Sequence, residues 1–284
     1  MADLAKEYYR SRTDAIIERF GPGPRVHFHN GYIEKPGVPP EATLDELRDS
    51  MNAFQEKMLK FATDHWRSFA DLSGRVLDAG CGLGGTSIWL AQNFGADVTS
   101  VTNVAEHIPL INTFAAQAEV AELVHPHCSD IHTFAADPGR YDAVVALEAS
   151  CFFDRHRWFS MLSSMLRPGG HVLIEDVFLG AEPGWKNTFD ATHHTDVGSV
   201  EEYHQAADAA GFRFIGGIDI SSHMADFADW TIAWNALRAT QPGADTEGLK
   251  RAIEAQRALQ RVTGREVDGI RGQLLAYELA APSL

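Results

Sequence analysis

VLDAGCGLGG, residues 76–85, is an apolar run, then an acid, then four glycines within six residues. The run reads as a buried strand. The glycines form a tight turn, and TSIWLAQNF (86–94) reads as a helix that Gly95 ends. Glycines gathered at such a turn let the backbone touch a ligand. A nucleoside triphosphate loop needs a Lys after its glycines, and none follows here. The dinucleotide spacing GxGxxG is met by Gly80, Gly82 and Gly85, but two features oppose that reading. Asp78 would stand beside the pyrophosphate with the same sign of charge. The acid expected about 20 residues on, for a ribose, is absent: the second strand ends in Thr102, with Asn103 after it. A carboxylate at this point suits a cationic ligand.

Outward from the turn the chain alternates strand and helix. DVTSVT (97–102) is a second strand, and a helix runs through EHIPLINTFAAQA. A third strand lies in LVHPHCSD (123–130), and YDAVVALEA (141–149) is a fourth. HRWFSMLSSML (156–166) is a helix that RPGG stops before a fifth strand, HVLIEDVF (171–178). FRFIGGIDI (212–220) and GQLLAYELAA (272–281) complete seven strands. This pattern predicts an α/β fold, a Rossmann-like seven-stranded, mostly parallel sheet with helices on both faces. Ahead of it, residues 3–20 read as one helix, GPGP (21–24) ends it, and RVHFHNGYIEKPGVPP (25–40) is a loop. Thr43 and Glu46 form a capping box that opens a helix to about Trp66. Along it Leu44, Leu47, Met51, Phe54, Met58 and Phe61 make one apolar stripe. We therefore expect a helical cap over residues 1–68 and a ligand-binding domain over 69–284. Lid segments are expected around 180–198 and 223–262.

The chain has 284 residues and a formal net charge of −15. Such a balance repels phosphate backbones and argues against nucleic acid as a partner. The three cysteines, Cys81, Cys128 and Cys151, are far apart, which fits a reducing cytoplasm better than a disulfide framework. No stretch approaches the apolar length of a membrane span. Adjacent histidines in THHT (192–195) lack the spacing of a metal site, so no metal ligand set is expected.

Four segments in order carry a resemblance. VLDAGCGLGG is similar to the first motif of class I S-adenosylmethionine (SAM)-dependent methyltransferases. CSDI (128–131), YDAVVALEA and LRPGGHVLIED (166–176) are similar to the motifs that follow it. The resemblance implies SAM as cofactor and S-adenosylhomocysteine (SAH) as product. It implies contacts from Asp78, Gly80, Gly82, Gly84, Thr102, Asn103, His107, Asp130, Ile131 and Glu148. Thr102 departs from the acid that most of the family places there. RVHFHNGYIE (25–34) resembles the His/aromatic/Gly segment of the sterol, cyclopropane-fatty-acid and terpenoid C-methyltransferase branch. That branch includes teleocidin-type and geranyl diphosphate enzymes. On this resemblance Glu148, His27 and His29 are candidate catalytic residues, with Glu175 and His193 behind them. Glu148 is equally a candidate cofactor contact. Phe28, Tyr32, Trp185, Phe189, His193 and Trp230 are candidate substrate contacts, and Tyr8, Tyr9 and Trp234 belong to the same aromatic set.

The function so implied is C-methylation of a small isoprenoid alkene, a prenylated indole or a prenyl diphosphate, through a carbocation. N- or O-methylation of a small natural product is the alternative, and a non-catalytic SAM-binding partner is a third class. A diphosphate acceptor would call for Mg²⁺ and for cations, with Arg10, Arg12, Arg25 and Lys35 as the candidates. The same resemblance implies a homo-oligomer that exchanges the N-terminal helix, since that helix has few obvious partners in its own chain.

Overall fold

The computed structural model describes residues 2–263 and 267–281. The N-terminal region holds helices α1 (Ala2–Arg10), α2 (Thr13–Phe20) and α3 (Leu44–Trp66). The expected single helix over 3–20 is thus broken at residues 11–12. The Ser11 and Thr13 hydroxyls donate to the carbonyls of Tyr8 and Tyr9, which competes with continuing the helix there. α3 forms as its capping box requires, with Thr43 and Glu46 satisfying each other's backbone N–H groups. Its apolar stripe is buried through Leu47, Met51 and Met58, and Trp66 closes its last turn with no exposed surface.

The alternating region follows as β1 (Arg75–Ala79), α4 (Gly85–Phe94), β2 (Asp97–Thr102), α5 (His107–Gln117), β3 (Val124–Cys128) and β4 (Tyr141–Leu147). Then come α6 (Arg155–Met165), β5 (Leu166–Leu179), α7 (Lys186–His193), α8 (Val200–Ala209) and β6 (Phe212–Asp219). The chain ends with α9 (Ser221–Met224), α10 (Phe227–Arg238), α11 (Thr246–Val262) and β7 (Ile270–Leu279). RPGG lies inside β5 instead of ahead of it. Leu166 already pairs with Tyr141, and the register shifts before His171 pairs with Ala143.

Among the described residues, seven strands form one sheet in the order β3-β2-β1-β4-β5-β7-β6. All neighbours are parallel except β7, which runs antiparallel between β5 and β6. The central strands are buried on both faces, which is why they read as continuous apolar runs. Leu77, Val144 and Ile174 face one core, with Trp158, Phe159 and Tyr203 from the helices over it. Val76, Val145 and Leu173 face another, under Met58 and Trp66 of α3. Strand order reverses between β1 and β4, and the carboxyl ends of those two strands open the crevice where such sheets bind ligands.

The N-terminal helices have partners within the chain. Ile16 and Phe20 bury against Leu47, Met51 and Phe227. Arg19 donates to Asn235 Oδ1 at 2.7 Å, and Arg238 to Glu18 at 2.6 Å. These contacts seat α2 within its own chain, where few partners were expected. No helix of the described residues is long and apolar enough to cross a membrane.

Candidate functional site

A cavity whose free space, open mouth included, is about 1090 Å³ lies above the carboxyl ends of β1, β2 and β4, closed on one side by α1, α2 and residues 26–29. β1 delivers Asp78 to its floor, 2 % exposed. The Asp78 carboxylate accepts the Ser87 hydroxyl at 2.6 Å, and Ser87 in turn accepts Ser100 at 2.7 Å, so strand, helix and second strand hold it together. Burial pushes the Asp78 carboxyl up to about 7, against the pull of the Ser87 hydrogen bonds. This is a buried acid that a cationic group would stabilise as the anion.

The glycine turn wraps the same space. Gly82 sits at φ 54°, and a Cβ there would meet nothing within 4 Å, so its free side faces the open cavity. Gly85, the first residue of α4, has the opposite reason: a Cβ would fall 2.6 Å from both the Val26 carbonyl and His27 Nδ1. A backbone carbonyl cannot give way, so Gly85 lets residues 26–27 lie on the turn. Gly84 is outside the cavity wall. It caps α4 in a left-handed conformation and packs on Ile111, while Gly85 after it lines the wall. α4 has no side-chain cap, which leaves backbone N–H groups at its start for a carboxylate.

The end of β2 brings Thr102, Asn103 and, just beyond, His107 into the wall. The Thr102 hydroxyl accepts the Val104 N–H at 3.3 Å. His107 Nδ1 donates to the Gly82 carbonyl at 3.1 Å, and its Nε2 meets the Thr13 hydroxyl at 3.0 Å, so this ring ties the turn to α2. Asp130 and Ile131 line the far end, where Asp130 Oδ1 accepts the N–H and Nδ1–H of His132.

Opposite the turn stands Glu148, immediately after β4. Its φ of 42° lies in the left-handed region that side chains rarely adopt, and such strain gathers at functional positions. Asn30 donates twice to one oxygen, from its backbone N and its Nδ2, each at 2.6 Å to Glu148 Oε1. Burial raises Glu148 to about 7 against the Asn30 bonds, with Asp176 adding to the rise. His29 gives its Nδ1–H to the Asn30 carbonyl at 2.8 Å, which leaves Nε2 with a bare lone pair, buried and without a partner among the described residues. Neither ring nitrogen of His27 has such a partner either. Burial lowers both rings, His29 to about 4, so they are neutral. Tyr9, Phe28 and Phe152 form a run of edge-on rings in the wall, with centroids 5.8 and 5.7 Å apart.

Of the six aromatics and histidines expected to touch substrate, only Phe28 lines the cavity. Tyr32 is sandwiched between Phe61 and His223, and Trp230 packs edge-on against Phe54, both as parts of the core. Trp185, Phe189 and His193 pack on one another along α7 and the turn before it; His193 then reaches Tyr8, one ring away from Tyr9. Glu175 is fully buried outside the wall, with neither carboxyl oxygen partnered among the described residues. Burial, then Glu148 and Asp176, raise it well above the carboxylate range, so it stays protonated and is no base for the cavity. Sequence reasoning missed Asn30, although it stands within the quoted segment 25–34; no local spacing ties it to a residue 118 positions on. It also missed Phe152 and Phe153, which directly follow the Glu148 motif.

The arrangement fits SAM. A glycine turn open to the ligand, a buried carboxylate for an ammonium, uncapped helix N–H groups for a carboxylate and Asp130 at the far end match that molecule's groups. Comparison with known proteins agrees. Residues 76–170 match a methyltransferase domain model. Those residues form a methyltransferase domain. The chain is 25% identical over 246 residues to the geranyl diphosphate 2-C-methyltransferase of Saccharopolyspora erythraea, covering 83% of each chain. It is 25% identical over 169 residues to the chloroplastic tocopherol O-methyltransferase of Arabidopsis thaliana, covering 59% of this chain and 47% of the relative, so it spans about half that relative's length. Its fold is that of the geranyl diphosphate C-methyltransferase of Streptomyces coelicolor A3(2), solved with Mg²⁺, geranyl diphosphate and SAH. The TM-score is 0.73 at 21% identity, over 98% of each chain.

Two expected results arise from this geometry. Asn30→Ala removes one of two hydrogen bonds that stabilise the Glu148 anion. The acid limb of the kcat–pH profile should then move up by about one unit, since a charge-assisted hydrogen bond is worth ~1.5–3 kcal/mol. A lower kcat with an unmoved limb would make Asn30 a packing residue only. The second concerns stability. Burial keeps His27, His29 and His107 neutral in the fold, and above about pH 7.5 they are neutral in the unfolded chain as well. Glu175 keeps its proton in the fold well beyond the pH at which the unfolded chain has lost it, and Asp78 and Glu148 keep theirs up to about pH 7. Their contribution is therefore lost as pH rises through their folded values. The ligand-free Tm should fall between pH 7.5 and 9, and a rise across that window would contradict these environments.

Proposed function

We propose that this protein transfers a methyl group from SAM to an alkene carbon of a small isoprenoid substrate. Glu148 would take up the proton released afterwards. The observation that carries the reading is the shared wall: a buried carboxyl with a pKa of about 7 faces the same cavity as the Tyr9, Phe28 and Phe152 rings. SAM supplies an electrophilic methyl on a sulfonium. The alkene π pair forms the new C–C bond while the C–S pair leaves with sulfur, and the neighbouring carbon becomes a cation. Aromatic faces stabilise a cation. Glu148, in its deprotonated fraction, removes a proton from the adjacent carbon, and that C–H pair restores the alkene. Residues 26–29, held on the glycine turn at Gly85, exclude water from the reacting atoms.

The C-methyltransferase names of two of the relatives favour the same chemistry. A second reading is O-methylation of a phenolic hydroxyl. It draws on the bare Nε2 of His29, which can accept that proton, and on the tocopherol O-methyltransferase relative. Incubation with SAM and parallel pools of prenylated indoles, prenyl diphosphates, phenols and amines decides between them by mass spectrometry. A product one CH₂ heavier on an isoprenoid carbon supports the first reading. Methylation confined to the phenols supports the second, and Glu148 then has no part in proton transfer.

A further inference from the structure

The charges around the cavity say what kind of acceptor it admits. Among the described residues its wall contains no Lys or Arg; of its three carboxyl groups, Asp78 and Asp130 are the ones matched above to SAM, which leaves Glu148 for the acceptor. Its histidines do not compensate. Burial keeps His27, His29 and His107 neutral. His132 accepts the Asp154 N–H at its Nε2, so its proton sits on Nδ1, toward Asp130.

The cations that sequence alone offered for a diphosphate all stand outside the wall. Arg10 pairs with Glu7 at 2.7 Å. Arg25 is held between Glu56 and Gln92, both at 2.6 Å, with Trp89 under its guanidinium. Arg12 lies 3.7 Å over the Tyr8 ring, and Lys35 is on an exposed loop outside the wall.

We infer that the acceptor binds as an uncharged prenylated molecule bearing a hydrogen-bond donor, and that prenyl diphosphates are excluded. The inference rests on the isoprenoid reading above and narrows it. A diphosphate drawn into this wall would leave water for a surface that presents the Glu148 carboxyl and no Lys or Arg, an uncompensated cost that a neutral molecule avoids. A protonated amine would meet the sulfonium's charge instead. The bare Nε2 of His29 suits a hydroxyl or an indole N–H, because a buried acceptor left unpaired disfavours a ligand that cannot supply a proton to it.

The test is calorimetric binding to the full-length protein saturated with SAH. Geranyl diphosphate, with and without Mg²⁺, is compared with 3-geranylindole and geraniol, and turnover with SAM is measured on the same compounds. The neutral compounds should bind about 100-fold more tightly than geranyl diphosphate, with Mg²⁺ making no difference. Geranyl diphosphate binding as tightly in the presence of Mg²⁺, or no measurable binding of either neutral compound, would overturn the inference. Binding is read apart from chemistry. Tight neutral binding with methylation only at oxygen or nitrogen would therefore refute the C-methylation reading and leave the charge selection standing.

Discussion

Glu148→Gln should lower kcat by about 10²–10⁴-fold, the usual worth of a positioned base, while SAM affinity stays within a few-fold. Gln has nearly the same shape and can still accept from Asn30, but it cannot take up a proton. The buried carboxyl is also a cost to the fold. It sits at φ 42°, beside Glu175 and Asp176, with its proton affinity raised by burial. Gln keeps the backbone conformation and removes the charge. The variant should therefore be at least as stable as the parent at pH 8, so lost turnover cannot be blamed on unfolding. Turnover within three-fold of the parent would end the assignment of Glu148 as base and turn attention to His29.

Asp78→Asn should weaken SAM binding by about 10²–10³-fold, because removing one partner of a buried ion pair leaves the other uncompensated at a cost of ~3–5 kcal/mol. Asn keeps the volume and can accept the Ser87 hydroxyl, so the Asp78–Ser87–Ser100 chain survives. The pH dependence gives an independent reading. In the ligand-free protein Asp78 holds its proton up to about pH 7, and binding a cation favours the anion. Affinity should therefore rise with pH to about 7 and then level, and the Asn variant should lose that dependence. Calorimetry that finds unchanged affinity would mean Asp78 only braces the strand against α4.

The parts of this molecule legible in its sequence are those set by local rules. The capping box at Thr43 fixed the start of α3, and the glycine turn with Asp78 pointed to both the crevice and the class of ligand. What escaped depends on contacts between distant residues. Nothing near Asn30 shows that it clamps Glu148, and nothing near Tyr32 or Trp230 shows that these rings are core and not pocket. An aromatic in a cap segment buries its area wherever packing allows, so residue type alone does not say which face it serves. The break at residues 11–12 was hidden for a related reason. Apolar spacing continues across it, and only the Ser11 and Thr13 hydroxyls interrupt the helix.

The most direct test of the account follows the methyl group itself. The protein is incubated with SAM labelled with carbon-13 at the methyl and with a prenylated indole, and the product is examined by NMR. The account predicts a labelled methyl bonded to a carbon of the prenyl chain and an alkene restored beside it. A labelled methyl found on oxygen or nitrogen, with the prenyl chain unchanged, would contradict it.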